Sequence, residues 1–146
     1  MHRIFNFLLP LVTLSIMGLN LAFAVTVKTP APGTAERIAI LDSMRPHVEA
    51  AMRGPVVFVV GTMNVADGWA FVVAHPQRPD GSAINPVETG YAQDIEFMDG
   101  LNTIALLRFD NARWNLIDLH TGPTDVSYII WPQLFGVPAQ ILGLPQ

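Results

Sequence analysis

The spacing of hydrophobic residues along the chain first predicts a helix. Four apolar positions fall on one helical face: Ile38, Leu41, Val48 and Met52. Thr34 is suited to the N-cap at the start of this helix, and Gly54-Pro55 ends it. Because proline lacks a backbone N–H, Pro46 inside the run predicts a kink or a break near Met44.

The pattern then changes to that of strands. Four runs rich in β-branched and aromatic residues predict β-strands: residues 55–65, 69–74, 103–109 and 113–119. Turn signals at residues 66–68 and 110–112 pair these strands into two hairpins. Residues 75–101 form a long connection between the hairpins, and residues 91–98 within it are expected to form a short helix. A connection of this length either carries a binding surface or covers the edge of the sheet.

The strand at residues 69–74 has two apolar faces. Trp69, Phe71 and Val73 project to one side, and the apolar residues between them project to the other. A sheet with one face in water would alternate with polar residues, so the second face must be covered. We expect the C-terminal segment, residues 124–143, to cover it, with a second subunit as the alternative. The predicted fold class is α+β: an N-terminal helix packed on a four-stranded antiparallel sheet, cystatin-like or NTF2-like in general shape, with short C-terminal helical turns.

Residues 1–24 have the composition of a secretory signal peptide. A basic start at Arg3 precedes an apolar run over residues 4–17, and Ala22 and Ala24 supply the small residues that a signal peptidase recognises. An uncleaved anchor is the alternative, because about 20 apolar residues span a bilayer. We predict cleavage, no membrane span afterwards, and a periplasmic or secreted product with this organisation: signal peptide 1–24, extended tether 25–33 and a single α+β domain 34–146.

Composition excludes several kinds of site and partner. The chain has no cysteine, which rules out thiolate metal sites, cysteine nucleophiles and redox pairs. Its formal net charge is −4 at pH 7 and its basic residues are scattered, so nucleic acid is not an expected partner. Only 14% of the residues are charged, which favours a partner protein or a second subunit that covers apolar surface.

The long connection supplies three candidate binding residues: Arg78, Asp80 and Tyr91. Arg78 lies between Pro76 and Pro79, whose rigid backbone would hold the guanidinium ready for a carboxylate of a partner. Alternatively, Arg78 forms an ion pair with Asp80 or Glu96 of its own loop. The connection therefore contains either a recognition surface or a self-contained structural element.

Histidines at the ends of predicted strands are the candidate catalytic groups. His75 and His120 each follow a strand, and Asp118 precedes His120 by two residues, so the three could line one pocket. A Ser–His–Asp set can also be assembled from dispersed residues: Ser82 or Ser127, His120 and Asp125. No Gly-x-Ser-x-Gly elbow accompanies that set. The histidines have no metal-ligand spacing, so we expect neither a metal nor a cofactor.

Asp125 and the three tryptophans each have a structural and a functional interpretation. Asp125 follows Gly122-Pro123-Thr124, and it either faces a ligand from a rigid loop or caps a helical turn, which is the commoner use. The tryptophans either line a groove for a sugar or a peptide or belong to the core: Trp69, Trp114 and Trp131.

The order of several short motifs resembles a known group of proteins. The motifs are Trp69-Ala70-Phe71, His75-Pro76-Gln77-Arg78-Pro79-Asp80-Gly81, Ala105-Leu106-Leu107-Arg108 with Trp114, Gly122-Pro123-Thr124-Asp125-Val126 and Trp131-Pro132. Together they resemble a group of small exported proteobacterial proteins of unassigned function, over most of the chain after the leader. The resemblance implies one exported domain and no particular activity or site.

Three functional hypotheses follow from these observations. The first is an exported non-enzymatic binding module that recognises or inhibits an envelope protein, through residues drawn from this set: Arg78, Tyr91, Asp80, Trp69, His75, His120 and Asp125. The second is a small periplasmic hydrolase or ligand-binding enzyme with a pocket between helix and sheet. The third is an envelope structural subunit that associates with itself through an exposed sheet face.

Overall fold

The computed structural model describes residues 24–144. The predicted signal peptide, apart from Ala24, lies outside this range. The elements are α1 (Ala35–Met52), β1 (Val57–Ala66), β2 (Trp69–Gln77), β3 (Thr103–Asp110), β4 (Arg113–Thr121) and α2 (Trp131–Phe135). A helix followed by a four-stranded antiparallel sheet and short C-terminal helical turns confirms the predicted α+β fold. Within residues 24–144, no helix is both long enough and apolar enough to cross a membrane.

Helix α1 begins where the sequence predicts but buries a different face. The Thr34 hydroxyl accepts the Arg37 N–H at 3.4 Å, as expected of an N-cap. Four residues at intervals of four face the sheet: Ile40, Met44, Val48 and Met52. Ile38 is 50% exposed, so its predicted place on the buried face is wrong. The buried face is this i, i+4 row, because residues four apart lie on the same side of a helix and the row supplies four apolar side chains.

Pro46 does not break α1, which continues for 18 residues, so the predicted break near Met44 is wrong. Proline inside a helix costs about 3 kcal/mol. Met44 and Val48, one on each side of it, are at most 1% exposed against the sheet. Burial of two such side chains contributes about 1.5–3 kcal/mol each, which is enough to offset the proline.

The sheet is a meander in the order β1-β2-β3-β4. Both hairpins close with two central residues at positive φ, Asp67-Gly68 at 51° and 74° and Asn111-Ala112 at 51° and 60°. This pair of left-handed residues is the tight turn that matches the twist of antiparallel strands. Register shifts place a bulge near Gly61 in β1 and a second one near Ile117 in β4.

The two faces of the sheet are covered by different parts of the chain. On one face, α1 packs against residues that include Val72, Ala105 and Leu107. On the other face, the C-terminal segment packs against Phe71 and Leu106 through four buried residues: Trp131, Val137, Ile141 and Leu142. This arrangement confirms the prediction that the C-terminal segment covers the second apolar face. The tail thereby covers the part of this face around Phe71 and Leu106.

The long connection between β2 and β3 packs over the helix-side core, and the prediction of a short helix at residues 91–98 is wrong. The helical elements of this connection are two 3-10 turns, Pro86–Glu88 and Ile95–Phe97. Ile84 and Leu101 are buried in the helix-side core. An isolated helix of eight residues is too short to repay its nucleation cost, so contacts with the core determine the local shape instead.

The segment at residues 25–33 is extended and attached to the sheet. Lys28 forms an antiparallel bridge with Val65, with N–O distances of 2.9 and 2.8 Å. Val25 packs against the tail-side core. The Arg37 guanidinium donates to the Pro30 carbonyl at 3.1 Å, which holds the chain where it turns into α1.

Candidate functional site

Arg78 is bound to the end of α1. Its guanidinium donates to the carbonyl oxygens of Met52 at 3.0 Å and Pro55 at 3.3 Å. These carbonyls lie where the helix has ended and its last acceptors need partners. The contacts give Arg78 a structural position, and its predicted role in binding a carboxylate stays a prediction.

Asp80 and Tyr91 also have local partners. The Asp80 carboxylate accepts from the Ser82 hydroxyl at 2.6 Å and from the Ser82 N–H at 2.9 Å. These bonds, with a smaller contribution from the charge of Arg78, hold the pKa of the Asp80 carboxyl below its ordinary value. Tyr91 is partly buried against the helix-side core, and its N–H donates to the Thr89 hydroxyl at 3.1 Å. Both residues shape the connection.

Trp69, His75 and Asp125 do not come together. Trp69 is partly buried beneath Arg108, whose guanidinium carbon lies 4.7 Å from its ring centroid. His75 is exposed, with Nδ1 2.9 Å from Oδ1 of Asn102. Asp125 is exposed in the segment after β4. Trp69 and His75 lie near opposite ends of β2, and none of these contacts joins either of them to Asp125.

His120 belongs to a polar network between β4 and the C-terminal segment. Its Nδ1 lies 2.5 Å from the Ser127 hydroxyl, and its Nε2 lies 3.3 Å from Oδ2 of Asp118. The same Oδ2 accepts the Trp131 indole N–H at 2.9 Å, and Oδ1 accepts the Leu119 N–H at 2.9 Å. Each side chain of β4 in this network thus binds one residue of the tail, and the network fastens the tail to the sheet.

The network brings together Ser127 and His120 of the predicted Ser–His–Asp set, with Asp118 in the place of Asp125. Its orientation differs from that of a catalytic triad. Here Nδ1 of His120 faces the serine and Nε2 faces the carboxylate, whereas in the triad Nε2 faces the serine and Nδ1 faces the carboxylate.

His75 and His120 lie on different strands with β3 between them, and each contacts a different residue, Asn102 and Ser127 respectively. Among residues 24–144, no group of three potential metal ligands converges.

A cleft of about 650 Å³ lies on the other side of the sheet, at one end of the molecule. Four separate segments enclose it: the extended segment before α1, the first half of α1, the β1–β2 turn and the β3–β4 hairpin. The lining residues are Thr26, Lys28, Glu36, Ala39, Ser43, Val65, Ala66, Asp67, Gly68, Phe109, Ala112, Arg113 and Trp114. Its volume is within the range typical of small-ligand sites.

The cleft combines an aromatic wall with charges of both signs. Phe109 and Trp114 meet edge to face with ring centroids 5.3 Å apart, and Phe109 is 47% exposed. Lys28 Nζ lies 2.8 Å from Glu36 Oε2 at the rim. The Ser43 hydroxyl lies 2.9 Å from the Trp114 carbonyl and joins α1 to the edge of β4. This lining suits an apolar or aromatic group that carries polar ends.

Ala112 lines the cleft in a strained conformation. Its φ is 60°, although alanine has a Cβ that disfavours the left-handed region and the equivalent residue of the first hairpin is Gly68. Retained strain of this kind marks a candidate functional position.

Changing Ala112→Gly is expected to raise the free energy of unfolding by about 1 kcal/mol, because glycine adopts this φ without the Cβ penalty. Urea denaturation of the variant and the wild type measures the change. A variant less stable than the wild type would show that the alanine methyl makes packing contacts worth more than the strain.

None of the seven predicted site residues is among those that line the cleft. The sequence analysis expected a pocket between helix and sheet and, of these lining residues, named only Trp114 as a possible groove residue, because the walls of the cleft come from segments that are far apart in the sequence. Two signals were present. Asn111-Ala112 lacks the glycine usual in such a turn, and Phe109 and Trp114 flank it with enough aromatic surface for a binding wall.

Comparisons of the chain with protein-family models, with curated proteins and with solved structures found no match.

Proposed function

We propose that the protein is an exported, non-enzymatic binding module, and that it takes an apolar group of its partner into the cleft at the hairpin end. The cleft is the observation that carries this proposal, because it joins a ligand-sized volume to a partly exposed aromatic wall. The partner is an envelope protein or one of its ligands. The signal-peptide pattern of residues 1–24 supports that location.

The lining supports a partner group that is apolar at its centre and polar at its ends. Phe109 supplies exposed aromatic surface, and Ala39 on α1 leaves room opposite it. Lys28 and Glu36 already neutralise each other at the rim. Asp67 and Arg113 add one further charge of each sign, so the cleft favours neither an anion nor a cation.

A binding role is better supported than a hydrolytic one. The polar groups of the enzyme hypothesis, His75, His120 and Asp118, lie outside the cleft. His120 and Asp118 hold the tail in place, and His75 contacts Asn102. Catalysis needs its nucleophile, base and substrate cavity in one place.

A cleft-filling variant tests the proposal. Ala39→Phe places a ring in the cleft, and Ala50→Phe is the matched control, because both alanines are exposed on α1 about three turns apart and only Ala39 lines the cleft. We expect the tagged wild type and Ala50→Phe to capture the same protein from an envelope extract. Capture by Ala39→Phe should fall by at least about tenfold, the effect of losing roughly 1.4 kcal/mol.

Circular dichroism and thermal unfolding test whether both variants fold. Equal capture by the two phenylalanine variants, or no specific capture by the wild type, would contradict the proposal.

A further inference from the structure

The short C-terminal helices have an apolar side that points away from the sheet. The 3-10 turn Ser127–Ile130 continues directly into α2, so residues 127–135 form one helical stretch. One side of this stretch packs on the sheet through Trp131, Tyr128 and Phe135. The other side has four exposed aliphatic residues, which we call the outer tail face: Val126, Ile129, Ile130 and Leu134.

Helical spacing brings these four residues together. They follow the positions i, i+3, i+4 and i+8, which share one side of a helix. Each of their side chains is between 48% and 61% exposed, so residues 24–144 leave the outer tail face largely uncovered. The helical stretch is therefore apolar on two opposite sides, whereas a helix with one side in water normally has polar residues there.

The outer tail face also lacks charge. Residues 126–146 contain no aspartate, glutamate, lysine, arginine or histidine. A charged side chain is costly to bring into hydrocarbon, and this face brings none.

The composition and size of the outer tail face fit hydrocarbon better than a protein partner. Protein interfaces depend on a few tryptophan, tyrosine and arginine anchors, among which leucine and valine are under-represented. Such interfaces also engage about 20–30 residues on each side and form about ten hydrogen bonds. This face offers four aliphatic side chains, with Gln133 as an exposed polar neighbour. The hydrophobic effect that drives aliphatic groups into lipid needs neither anchors nor hydrogen bonds.

We propose that the outer tail face inserts into the surface of a lipid bilayer whose headgroups carry no net charge. Helices that bind in this way bury their apolar side by about 5–10 Å, at the boundary between headgroups and acyl chains. That depth is at least about half the width of one helix with its side chains, so the exposed side of a single short helix can supply it. The predicted export would bring the protein to the bilayers of the envelope.

The charge of the chain selects the headgroup. Helices that bind anionic lipids at the interface carry lysine and arginine on their polar side, and residues 114–146 contain neither. The nearest charged residue in the sequence is Asp125, which is exposed, and the formal net charge of the chain is −4. Anionic headgroups would therefore repel the protein, and binding rests on the hydrophobic contact alone.

Docking through the tail leaves the proposed cleft available. The tail covers one face of the sheet, the cleft lies on the α1 side, and no residue of the outer tail face lines the cleft. The docked protein would therefore direct its cleft away from the bilayer. The lipid contact does not depend on what the cleft binds, so each can be tested separately.

Binding to phosphatidylcholine vesicles tests the proposal. The chain from Val25 to Gln146 is used, so that the apolar run of the leader cannot itself bind lipid. Ile130→Glu places a charge in the outer tail face. Ile38→Glu is the matched control, because both isoleucines are 50% exposed and both variants gain the same charge. We expect the wild type and Ile38→Glu to co-sediment with the vesicles, and the lipid concentration for half-maximal binding to rise at least about tenfold in Ile130→Glu.

Two further measurements test the headgroup and the face. Replacing part of the phosphatidylcholine by phosphatidylglycerol should weaken wild-type binding at low ionic strength, and added salt should restore it by screening the charges. Because the chain has no cysteine, Ile130→Cys and Ile38→Cys can each be labelled with a nitrobenzoxadiazole fluorophore. Vesicles should shift the emission of the label at residue 130 to shorter wavelength and leave that at residue 38 unchanged. Circular dichroism tests whether all variants fold.

Equal vesicle binding by Ile130→Glu and Ile38→Glu would overturn the proposal, and so would the absence of wild-type binding to phosphatidylcholine. Tighter binding in the presence of phosphatidylglycerol would overturn the assignment to uncharged headgroups. If the wild type does not bind vesicles and Ile130→Glu alone loses a protein captured from an envelope extract, the outer tail face belongs to a protein partner and the proposal is wrong.

Discussion

Replacing Trp131 with alanine is expected to lower the free energy of unfolding by about 3–5 kcal/mol. Trp131 is only 1% exposed, and its ring packs within 6.2 Å of Phe71 and 5.8 Å of Tyr128, centroid to centroid. The change leaves a cavity beneath the tail and removes the indole donor from the half-buried Asp118 carboxylate. Urea denaturation followed by far-ultraviolet circular dichroism measures the loss.

Leu134→Ala is the matched control, because Leu134 belongs to the same short helix and is 60% exposed. We expect Leu134→Ala to change the free energy of unfolding by no more than about 0.5 kcal/mol, the usual range for surface substitutions. Limited proteolysis gives a second measurement, since the tail should become cleavable in Trp131→Ala and stay protected in the control. Equal stability of the two variants would show that the tail does not depend on Trp131 for its position.

The second large effect is expected at Gly122, where the end of β4 passes the end of the long connection. Its φ is 60°, and an added Cβ would lie 2.4 Å from the Gly100 carbonyl oxygen and 2.7 Å from Met98 Cε. The Gly122 N–H and carbonyl are both bonded to this connection, to Asn102 at 2.7 Å and Asp99 at 2.9 Å. Gly122→Ala should therefore lower the free energy of unfolding by roughly 2–5 kcal/mol, from backbone strain and overpacking together.

Gly136→Ala separates these two contributions. Gly136 has a similar φ of 70°, but an added Cβ would have no heavy atom within 4 Å. The free energy of unfolding of Gly136→Ala should fall by only about 1–2 kcal/mol, because this change adds backbone strain alone. Thermal unfolding of the two variants side by side measures the difference. If both lose the same amount, the close approach at Gly122 contributes nothing to stability.

The sheet was predictable because its signals are local. The turn at Asp67-Gly68 fixes the first hairpin, and the two-sided apolar pattern of β2 was sufficient to predict a covering tail. The buried face of α1 was less certain from sequence, since Ile38 and Ile40 both lie in apolar rows. Only the position of the sheet decides that Ile40 is inside and Ile38 is outside.

The candidate site was not predictable for a physical reason. A proline-flanked arginine such as Arg78 has the sequence features of an exposed binding residue. In the fold it instead contacts backbone carbonyl groups that have no partner within the helix, because α1 ends there. The cleft requires Lys28, Phe109 and the turn at Asp67 to meet over α1. No local pattern encodes that meeting, because it results from the bridge at Val65 and from the register of the sheet.

We propose that the cleft at the hairpin end is the binding site. The most direct test is a nuclear magnetic resonance titration of the isotope-labelled protein with N-phenyl-1-naphthylamine, an uncharged aromatic probe. We expect saturable shifts at the amides of the cleft residues Ala39, Gly68 and Ala112, and we expect these shifts to be lost in Ala39→Phe but not in Ala50→Phe. Shifts centred on the exposed apolar residues Ile129 and Ile130 of the tail, or no saturable shift, would contradict it.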